Sequence, residues 1–251
     1  QIIQNVLENN SNLQTEFDNS KKEYSLIFGK ELYDACRDGN INAAQLLLEK
    51  GAEINWVDKN GMTPLYVACQ NGEVDAARLL LEKGAEVDRA TKKGGYTGYT
   101  PLLIACNQGQ VEVVRLLLDK GAEIDRADKH GWTPLMVACN QGQVKVVRLL
   151  LEKGAEINHV DEDSWTPLHF ACWKDHVDVA RLLLNNGAEV NKADVSGETP
   201  LIIACHKGHV NSARLLLDNG ADVDSENNNN WTPLHIACRK ENNIDVVQLL
   251  I

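Results

Sequence analysis

The feature that most constrains this chain is a Thr-Pro-Leu motif that recurs at a nearly fixed interval. Its threonine occurs at Thr63, Thr100, Thr133, Thr166, Thr199 and Thr232, so the last four intervals are 33 residues each and the first is 37. A fixed period of this length is typical of a solenoid, in which each unit contacts only its neighbours. The 251 residues are therefore expected to form one elongated array, although their number alone would allow two domains.

The residues of one unit, 131–163, predict two short helices. Thr133 suits a helix N-cap, because its hydroxyl can accept a hydrogen bond from a free backbone N–H, and Pro134 suits the first helical position. Gly142 can end the first helix in a tight turn, and a second helix is expected over about 143–153. Neither helix is long enough to be stable alone in water, so the units must be stabilised by stacking.

The chain divides into three segments by their fit to the repeat. Residues 1–29 do not fit it, and their apolar spacing predicts N-terminal capping helices, with a disordered leader as the alternative. Residues 30–60 form a degenerate first unit, whose Glu31 and Asp34 replace the proline and apolar residue of later units, as suits a capping repeat. Residues 61–251 contain six units, the last truncated, and they continue the same solenoid. These units begin near Gly61, Gly98, Gly131, Ser164, Gly197 and Asn230.

The cysteines follow the same period as the threonines. They are Cys36, Cys69, Cys106, Cys139, Cys172, Cys205 and Cys238. Stacked helices lie about 8–10 Å apart, which exceeds the Cα separation of about 4.4–6.8 Å that a disulfide usually spans. We therefore predict free, buried cysteines in a reducing compartment, and hence an intracellular, cytoplasmic protein.

Charge and hydropathy exclude several classes of function. The net charge of −11 and the pI near 5.1 argue against nonspecific binding to nucleic acid or to an anionic membrane surface. No uninterrupted apolar run approaches about 18 residues, so no membrane insertion is expected. The N-terminal residues lack the features of a secretory signal. The absence of an initiator Met, together with an end inside a predicted second helix, predicts a fragment of a longer protein.

No catalytic or metal-binding constellation stands out from the repeat. The glycines occur at turns and helix ends, and no Ser/His/Asp set or carboxylate pair is separate from the repeat background. Two groups contain residue types that bind zinc, namely His169, Cys172 and His176, and Cys205, His206 and His209. Their cysteines belong to the predicted buried column, whereas a zinc site needs about three or four converging ligands. We predict no enzymatic activity, no metal and no cofactor.

The repeat carries a family resemblance. Thr-Pro-Leu-x-x-Ala-x-x-x-Gly, followed by Leu-Leu-Leu-x-x-Gly-Ala-x-Val/Ile-Asn/Asp, resembles the ankyrin repeat over about residues 30–251. The resemblance implies an all-α ankyrin-repeat solenoid of helix–turn–helix units, each followed by a projecting β-turn finger. It also implies that fingers and first helices form a concave groove for protein partners, and that the imidazoles of His169 and His235 bond locally. Some family members are hydroxylated at the position of Asn55, Asn158 and Asn191.

In that geometry, large side chains before the capping threonine would form a ladder along the groove. These residues are Met62, Tyr99, Trp132, Trp165 and Trp231. Trp173, at the end of a first helix, and Tyr96, in the four-residue insertion before Thr100, have no packing role in the repeat and are the sharper candidates. Rigid aromatic side chains often anchor interfaces. The alternative for the ladder is that each residue only packs its own finger.

The predicted finger tips differ in charge along the chain. The early tips are basic through Lys59, Lys92, Lys93, Lys129 and His130, and a later tip is acidic through Glu162 and Asp163. Our hypothesis is that this pattern orients a partner of opposite charge pattern, and the alternative is a solvated surface without a role. The aspartates that recur in four of the fingers are expected to cap their own turns: Asp58, Asp128, Asp161 and Asp194.

Together these observations predict a non-catalytic, monomeric scaffold that binds a partner protein or peptide, with no nucleic-acid partner. Two alternatives stay open at this point. The repeats could recruit substrates for an activity elsewhere in a larger multidomain protein, or they could act as a spacer or an oligomerisation element.

Overall fold

The computed structural model describes residues 27–92, 94–239 and 243–251, which form helices and turns without a β-strand. Residues 27–37 form α1. The remaining helices are α2 (Ile41–Glu49), α3 (Pro64–Asn71), α4 (Val74–Glu82), α5 (Pro101–Gln108), α6 (Val111–Asp119), α7 (Pro134–Asn140), α8 (Val144–Glu152), α9 (Pro167–Trp173), α10 (Val177–Asn185), α11 (Pro200–Lys207), α12 (Val210–Asp218), α13 (Pro233–Cys238) and α14 (Ile244–Leu250).

The helices form two layers in which neighbours along the sequence are neighbours in space. The first helices of the units pack in the order α3, α5, α7, α9, α11 and α13, and the second helices pack in the order α2, α4, α6, α8, α10, α12 and α14. Within each unit from α3 onward, the first helix also packs against the second. The predicted all-α solenoid of stacked helix–turn–helix units is therefore confirmed.

The first helices begin at the residues that the sequence predicted. Thr133 accepts a hydrogen bond from the backbone N–H of Met136 at 3.3 Å, and Pro134 begins α7. In the next unit, the Nδ1 atom of His169 accepts a hydrogen bond from the backbone N–H of Thr166 at 3.1 Å. His235 makes the corresponding bond at 3.2 Å. The local bonding that the resemblance implied for these two imidazoles is confirmed.

Four of the six fingers are closed by the recurring aspartate, as expected. Asp128 Oδ1 accepts from the backbone N–H groups of His130 and Trp132, at 2.8 and 3.0 Å. The same pattern recurs at Asp58, Asp161 and Asp194, and at Asn227 in the last complete finger. Backbone bonds also join adjacent fingers, for example from Val195 N–H to the carbonyl of Asp163 at 3.1 Å. These bonds hold neighbouring fingers against one another.

A second set of bonds joins the units behind the fingers. Asn158 Oδ1 accepts from the backbone N–H of Glu189 in the next unit at 3.0 Å. Side-chain oxygens at the same position of other units make the corresponding bond, namely Asn55, Asp88, Asp125 and Asn191. These asparagines therefore have a structural role between units, and hydroxylation of Asn55, Asn158 or Asn191 stays a prediction.

A buried apolar core runs through the stacked helices, and we call it the spine. All of the cysteines but one belong to it. Six thiols are buried, all of the cysteines are free, and burial raises the pKa of the Cys36 and Cys205 thiols to about 12. The expectation of a buried thiol was wrong for Cys238, which is exposed. Within the described residues, α13 has a neighbouring first helix on one side only, α11, and this leaves Cys238 uncovered.

Three sequence-based expectations fall wholly or partly outside the described residues. The proposed N-terminal capping helices lie there apart from residues 27–29, which belong to α1. Lys93 is also outside, as are residues 240–242 near the extra residue of the last unit. The domain boundaries at 29 and 60 therefore stay predictions. In the part that is described, no helix combines the length and apolar character needed to cross a membrane.

Candidate partner-binding site

The residues before the capping threonines occupy one column of the stack, and all of them contact the protein itself. Met62, Trp132, Trp165 and Trp231 are half-buried and pack against the apolar core. Tyr99 is only 8% exposed, and the ring of Tyr96 lies against it with 5.0 Å between centroids. The column therefore contributes to packing, and its members differ in how much surface they leave for a partner.

The most extensive aromatic surface spans the units that begin at Gly131 and Ser164. Phe170 lies between two tryptophans, with its ring centroid 4.5 Å from that of Trp132 and 5.1 Å from that of Trp165. Trp173 extends the row, at 5.4 Å from Trp165 with an angle of 68° between the rings. We call Trp132, Trp165, Phe170 and Trp173 the aromatic cluster. Its tryptophans are half-buried, whereas Phe170 is 4% exposed and forms its floor.

Two parts of this arrangement differ from the sequence-based expectations. Phe170 was not among the candidates, although it is an aromatic residue at a position where the neighbouring units carry Val137 and Ile203. Trp173 was expected to have no packing role, which was wrong. It packs edge-to-face on Trp165, and Lys207 Nζ lies 3.1 Å from the centroid of its ring. Because α9 and α11 stack in register, the ends of the two helices lie side by side.

The ladder tryptophans reach forward to the next finger. Trp165 Nε1 donates a hydrogen bond to Asp194 Oδ2 at 3.0 Å. The side chain of Trp132 lies near Asp161 and favours the charged form of that carboxyl. Partial burial of Asp161 has the larger effect, and the pKa of Asp161 is raised overall. The polar edge of the Trp165 indole is therefore used within the protein, and the faces of the two rings are what a partner can contact.

The aromatic cluster lines a cleft of about 390 Å³, together with Asn140, Asp161, Asp163 and Lys174. Asp161 is held by its finger, since its Oδ1 atom accepts from the backbone N–H of Asp163 at 3.0 Å. Asp163 and Lys174 are exposed, and neither side chain forms a hydrogen bond or an ion pair with a described residue. The cleft thus combines aromatic surface with two carboxylates and one ammonium group.

A larger cavity, of about 630 Å³, lies further along the stack and is lined by Glu198, His206, Trp231 and Arg239 among others. It offers less for recognition, because Trp231 is the one Phe, Tyr or Trp among its described lining residues and the guanidinium carbon of Arg239 lies 4.3 Å from the centre of that ring. Glu198 occupies the ladder position in this unit. The aromatic cluster is therefore the better candidate for a partner anchor.

The finger residues predicted to orient a partner are at the surface. Lys59, Lys92, Lys129, His130, Glu162 and Asp163 are all exposed. His130 Nδ1 and Glu162 Oε2, from adjacent fingers, are 3.9 Å apart, so the basic and acidic parts of the pattern meet there. Tyr96, at the insertion, is 37% exposed, but the expectation that it has no packing role was wrong, because its ring packs on Tyr99. Their exposure permits contact with a partner, and their binding role stays a prediction.

The histidines near the cysteine column bond to backbone groups of neighbouring units. His176 Nε2 lies 3.2 Å from the carbonyl oxygen of Asn140, and His209 Nδ1 lies 3.0 Å from that of Cys172. His169 is fully buried, its Nε2 faces the carbonyl of Glu198 at 3.2 Å, and desolvation lowers its pKa to about 4. No cluster of three or more His, Cys, Asp or Glu side chains able to hold a metal ion occurs within the described ranges.

Comparison with known proteins identifies the fold. A family model described as "Ankyrin repeats (3 copies)" matches residues 13–91, 32–128, 89–161, 126–194 and 192–251. The crystal structure of the human ASB11 ankyrin repeat domain is similar, with a TM-score of 0.78 and 31% sequence identity over 88% of this chain and 97% of that one. No curated protein matches the chain.

Ankyrin repeats generally serve as protein–protein interaction modules, and the fold is typically a non-catalytic scaffold. The repeat register, the two helical layers, the family model and the similar crystal structure agree along most of the sequence. This chain belongs to the ankyrin repeat family.

Proposed function

We propose that the chain is a non-catalytic recognition module that binds a partner protein or peptide along its fingers and first helices. We call this surface the groove. The observation that carries the proposal is the aromatic cluster, in which three half-buried tryptophans lie side by side in an open cleft. Large aromatic rings with part of their surface exposed are typical of interface hot spots. A stack that served only as a spacer would have no need of such a surface.

The energetics support the cluster as the main anchor. Covering the exposed part of a large apolar side chain stabilises a complex by roughly 25 cal/mol per Å² of apolar area. The indole N–H of Trp165 is already bonded to Asp194, so a partner that covers the ring does not leave that donor unsatisfied. The ring is also held in place before binding, which lowers the entropic cost of association.

The other candidate residues take supporting roles in this proposal. Met62 and Trp231 extend the apolar surface toward the two ends of the stack, and Tyr96 offers a ring beside the insertion. Tyr99 is buried, so its role is to support Tyr96. The charges predicted for the finger tips would select a partner that is acidic opposite Lys59, Lys92, Lys93, Lys129 and His130 and basic opposite Glu162 and Asp163.

A pull-down from source-cell lysate tests the proposal. The bait is either the chain itself or a variant with Trp132→Ala, Trp165→Ala and Trp173→Ala. A matched control replaces three exposed residues of the second helices, Arg115, Arg148 and Glu152, with alanine. We expect specific interactors to be lost from the aromatic variant and retained by the control. Thermal unfolding of each bait checks that it is folded, and equal recovery of every interactor by all three baits would refute the groove assignment.

A further inference from the structure

We propose that the aromatic cluster and Asp163 together bind a cationic side chain of the partner, preferentially the guanidinium of an arginine. The inference rests on the proposed function and gives it a chemical class of ligand. It is carried by the faces of the tryptophans, by a carboxylate that has no partner among the described residues, and by two contacts in which the chain places its own cations on tryptophan rings.

The aromatic faces are the available part of the cluster. The indole N–H of Trp165 donates to Asp194 Oδ2 at 3.0 Å, and the side chain of Trp132 lies near Asp161. A partner therefore finds no free donor on the ring of Trp165. A partner can therefore contact the faces of the rings. The face of an aromatic ring is negative and attracts a cation, and tryptophan attracts a cation more strongly than tyrosine or phenylalanine does. A flat guanidinium can stack on such a face more closely than an ammonium group.

The protein already places cations on rings of this surface. Lys207 Nζ lies 3.1 Å from the ring centroid of Trp173, and the guanidinium carbon of Arg239 lies 4.3 Å from that of Trp231. Both distances are within the range of about 6 Å over which a cation and an aromatic face attract. Arg239 uses Trp231 in this way from within the chain. At Trp132 and Trp165 no described Lys or Arg makes the corresponding contact.

The charges around the cleft favour a cation over a neutral apolar group. Asp163 is exposed, lines the cleft, and makes no ion pair or side-chain hydrogen bond with any residue in the described part of the chain. Asp161 adds a second carboxylate, fixed by the backbone N–H groups of its finger. Lys174 is the one basic residue lining the cleft, and it opposes a bound cation. Lys207, on the ring of Trp173, opposes it as well, and Asp194 beside the Trp165 indole adds a third carboxylate. Three carboxylates therefore face two ammonium groups, and a guanidinium can bind a carboxylate and a ring at the same time.

Equivalent positions in other units lack this combination. In the unit that begins at Gly98, the ladder residue Tyr99 is buried. In the unit that begins at Gly197, the ladder residue is Glu198, without an aromatic ring. The position of Asp163 is occupied by His130 one unit earlier and by Ser196 one unit later. The combination of open aromatic faces with a free carboxylate is therefore confined, within the described residues, to one place in the stack.

The test compares two capped nonapeptides of glycine and serine that differ only at the central residue, which is arginine in one and citrulline in the other. Citrulline has nearly the shape of arginine but no charge. Binding is followed by tryptophan fluorescence and by NMR shifts of the indole N–H signals. We expect the arginine peptide to bind about tenfold more tightly than the citrulline peptide, with an affinity that falls as salt is added.

Charge variants sharpen the assignment. Asp163→Asn should weaken arginine-peptide binding several-fold, and Lys174→Gln should strengthen it. Glu226→Gln removes one exposed carboxylate from another finger and is the matched control, which should leave the affinity unchanged. Trp173→Ala should reduce binding of the arginine peptide without unfolding the chain, since Trp173 is not packed into the apolar core.

Several outcomes would overturn the inference. They are equal affinity for the two peptides, an unchanged affinity in Asp163→Asn, and no saturable binding of the arginine peptide up to about millimolar concentration. The failure of the proposed function would look different. If both peptides bind equally and Trp173→Ala weakens both, the groove recognises peptides without a cation, and only the further inference fails. If the lysate interactors survive the triple tryptophan variant, the groove assignment itself fails.

Discussion

Two neighbouring parts of the stack use the same repeat position in opposite ways. In the unit that begins at Gly98, Tyr99 precedes the capping threonine and is 8% exposed, with Tyr96 of the four-residue insertion against its ring. In the two following units, Trp132 and Trp165 hold that position, and both are half-buried beside an open cleft. The comparison teaches that the length of the finger, and not only the residue at the ladder position, decides whether a ring is available to a partner.

The helices of the two regions have equivalent buried positions. Leu117 and Leu150 occupy equivalent positions in α6 and α8, and both are fully buried. Cys106 and Cys139 are likewise buried at the same place in α5 and α7. The helices of both regions therefore share one apolar spine, on which residues of the ladder and fingers can vary. The predictions below test this division between a uniform spine and a variable edge.

The largest expected effect lies in the spine. Leu117→Ala and Leu150→Ala each remove a fully buried side chain and leave a cavity, so each should lower the free energy of unfolding by about 2–5 kcal/mol. Urea unfolding monitored by circular dichroism measures both variants. We expect the two substitutions to lower the free energy of unfolding by similar amounts, because the two sites have equivalent surroundings. A cost below about 1 kcal/mol at one site only would contradict a spine that is uniform across the two regions.

The next largest effect is a loss of stability at low pH. We expect it in the second region, the units that begin at Gly131 and Ser164, and not in the first, the unit that begins at Gly98. Burial lowers the pKa of His169 to about 4, compared with about 6.5 in the unfolded chain. Between these values the unfolded state binds more protons, so stability is present above about pH 6.5 and is lost as the pH falls toward 4, by up to about 3 kcal/mol. In the first region Leu103 occupies the equivalent position. We therefore expect His169→Leu to lose less stability than the wild type on acidification.

The measurement compares urea midpoints at neutral pH and at about pH 4.5. His235→Leu is the matched control, because it removes the same bond to the backbone of its threonine from an exposed imidazole. If wild type and His169→Leu lose equal stability on acidification, His169 does not carry the acid effect.

A smaller effect is expected where fingers meet. Gly131 has a φ of 81°, and a Cβ atom there would lie 3.0 Å from Asp161 Cα, so Gly131→Ala should cost about 1–2 kcal/mol or more. Ser164 holds the corresponding position one unit later with a φ of 63°, and Ser164→Gly should stabilise the chain by less than about 1 kcal/mol. Thermal unfolding of both variants shows whether each substitution stabilises or destabilises the chain. A stabilising Gly131→Ala would contradict the close packing of adjacent fingers.

The smallest effect tests the role of the insertion. Burial raises the pKa of Tyr99 to about 12. Tyr96→Ala should uncover the ring of Tyr99 and move its pKa down toward the ordinary value of about 10. Ultraviolet titration of tyrosine ionisation detects the change, and Tyr99→Phe assigns the signal. An unchanged titration of Tyr99 in Tyr96→Ala would show that the insertion does not cover the ladder position.

Much of the fold could be predicted from the sequence because its signals are local and repeated. Thr133 and Pro134 fix a helix start, and Asp128 closes a finger, through bonds that span a few residues. The candidate site was harder to predict. The burial of Tyr99 depends on a neighbouring loop, and the contacts of Trp173 depend on the next unit. Those contacts arise from stacking, and the pattern within one unit does not contain them.

The most direct test of the account is site-specific photo-cross-linking to the partner recovered from lysate. One photoreactive residue replaces Asn140, which lines the aromatic cleft, and another replaces Glu152, which is exposed on the second helix of the same unit. We predict that the partner is captured from position 140 and not from position 152. Capture from position 152 alone would contradict the claim that the groove edge binds the partner while the two helical layers only hold it in place.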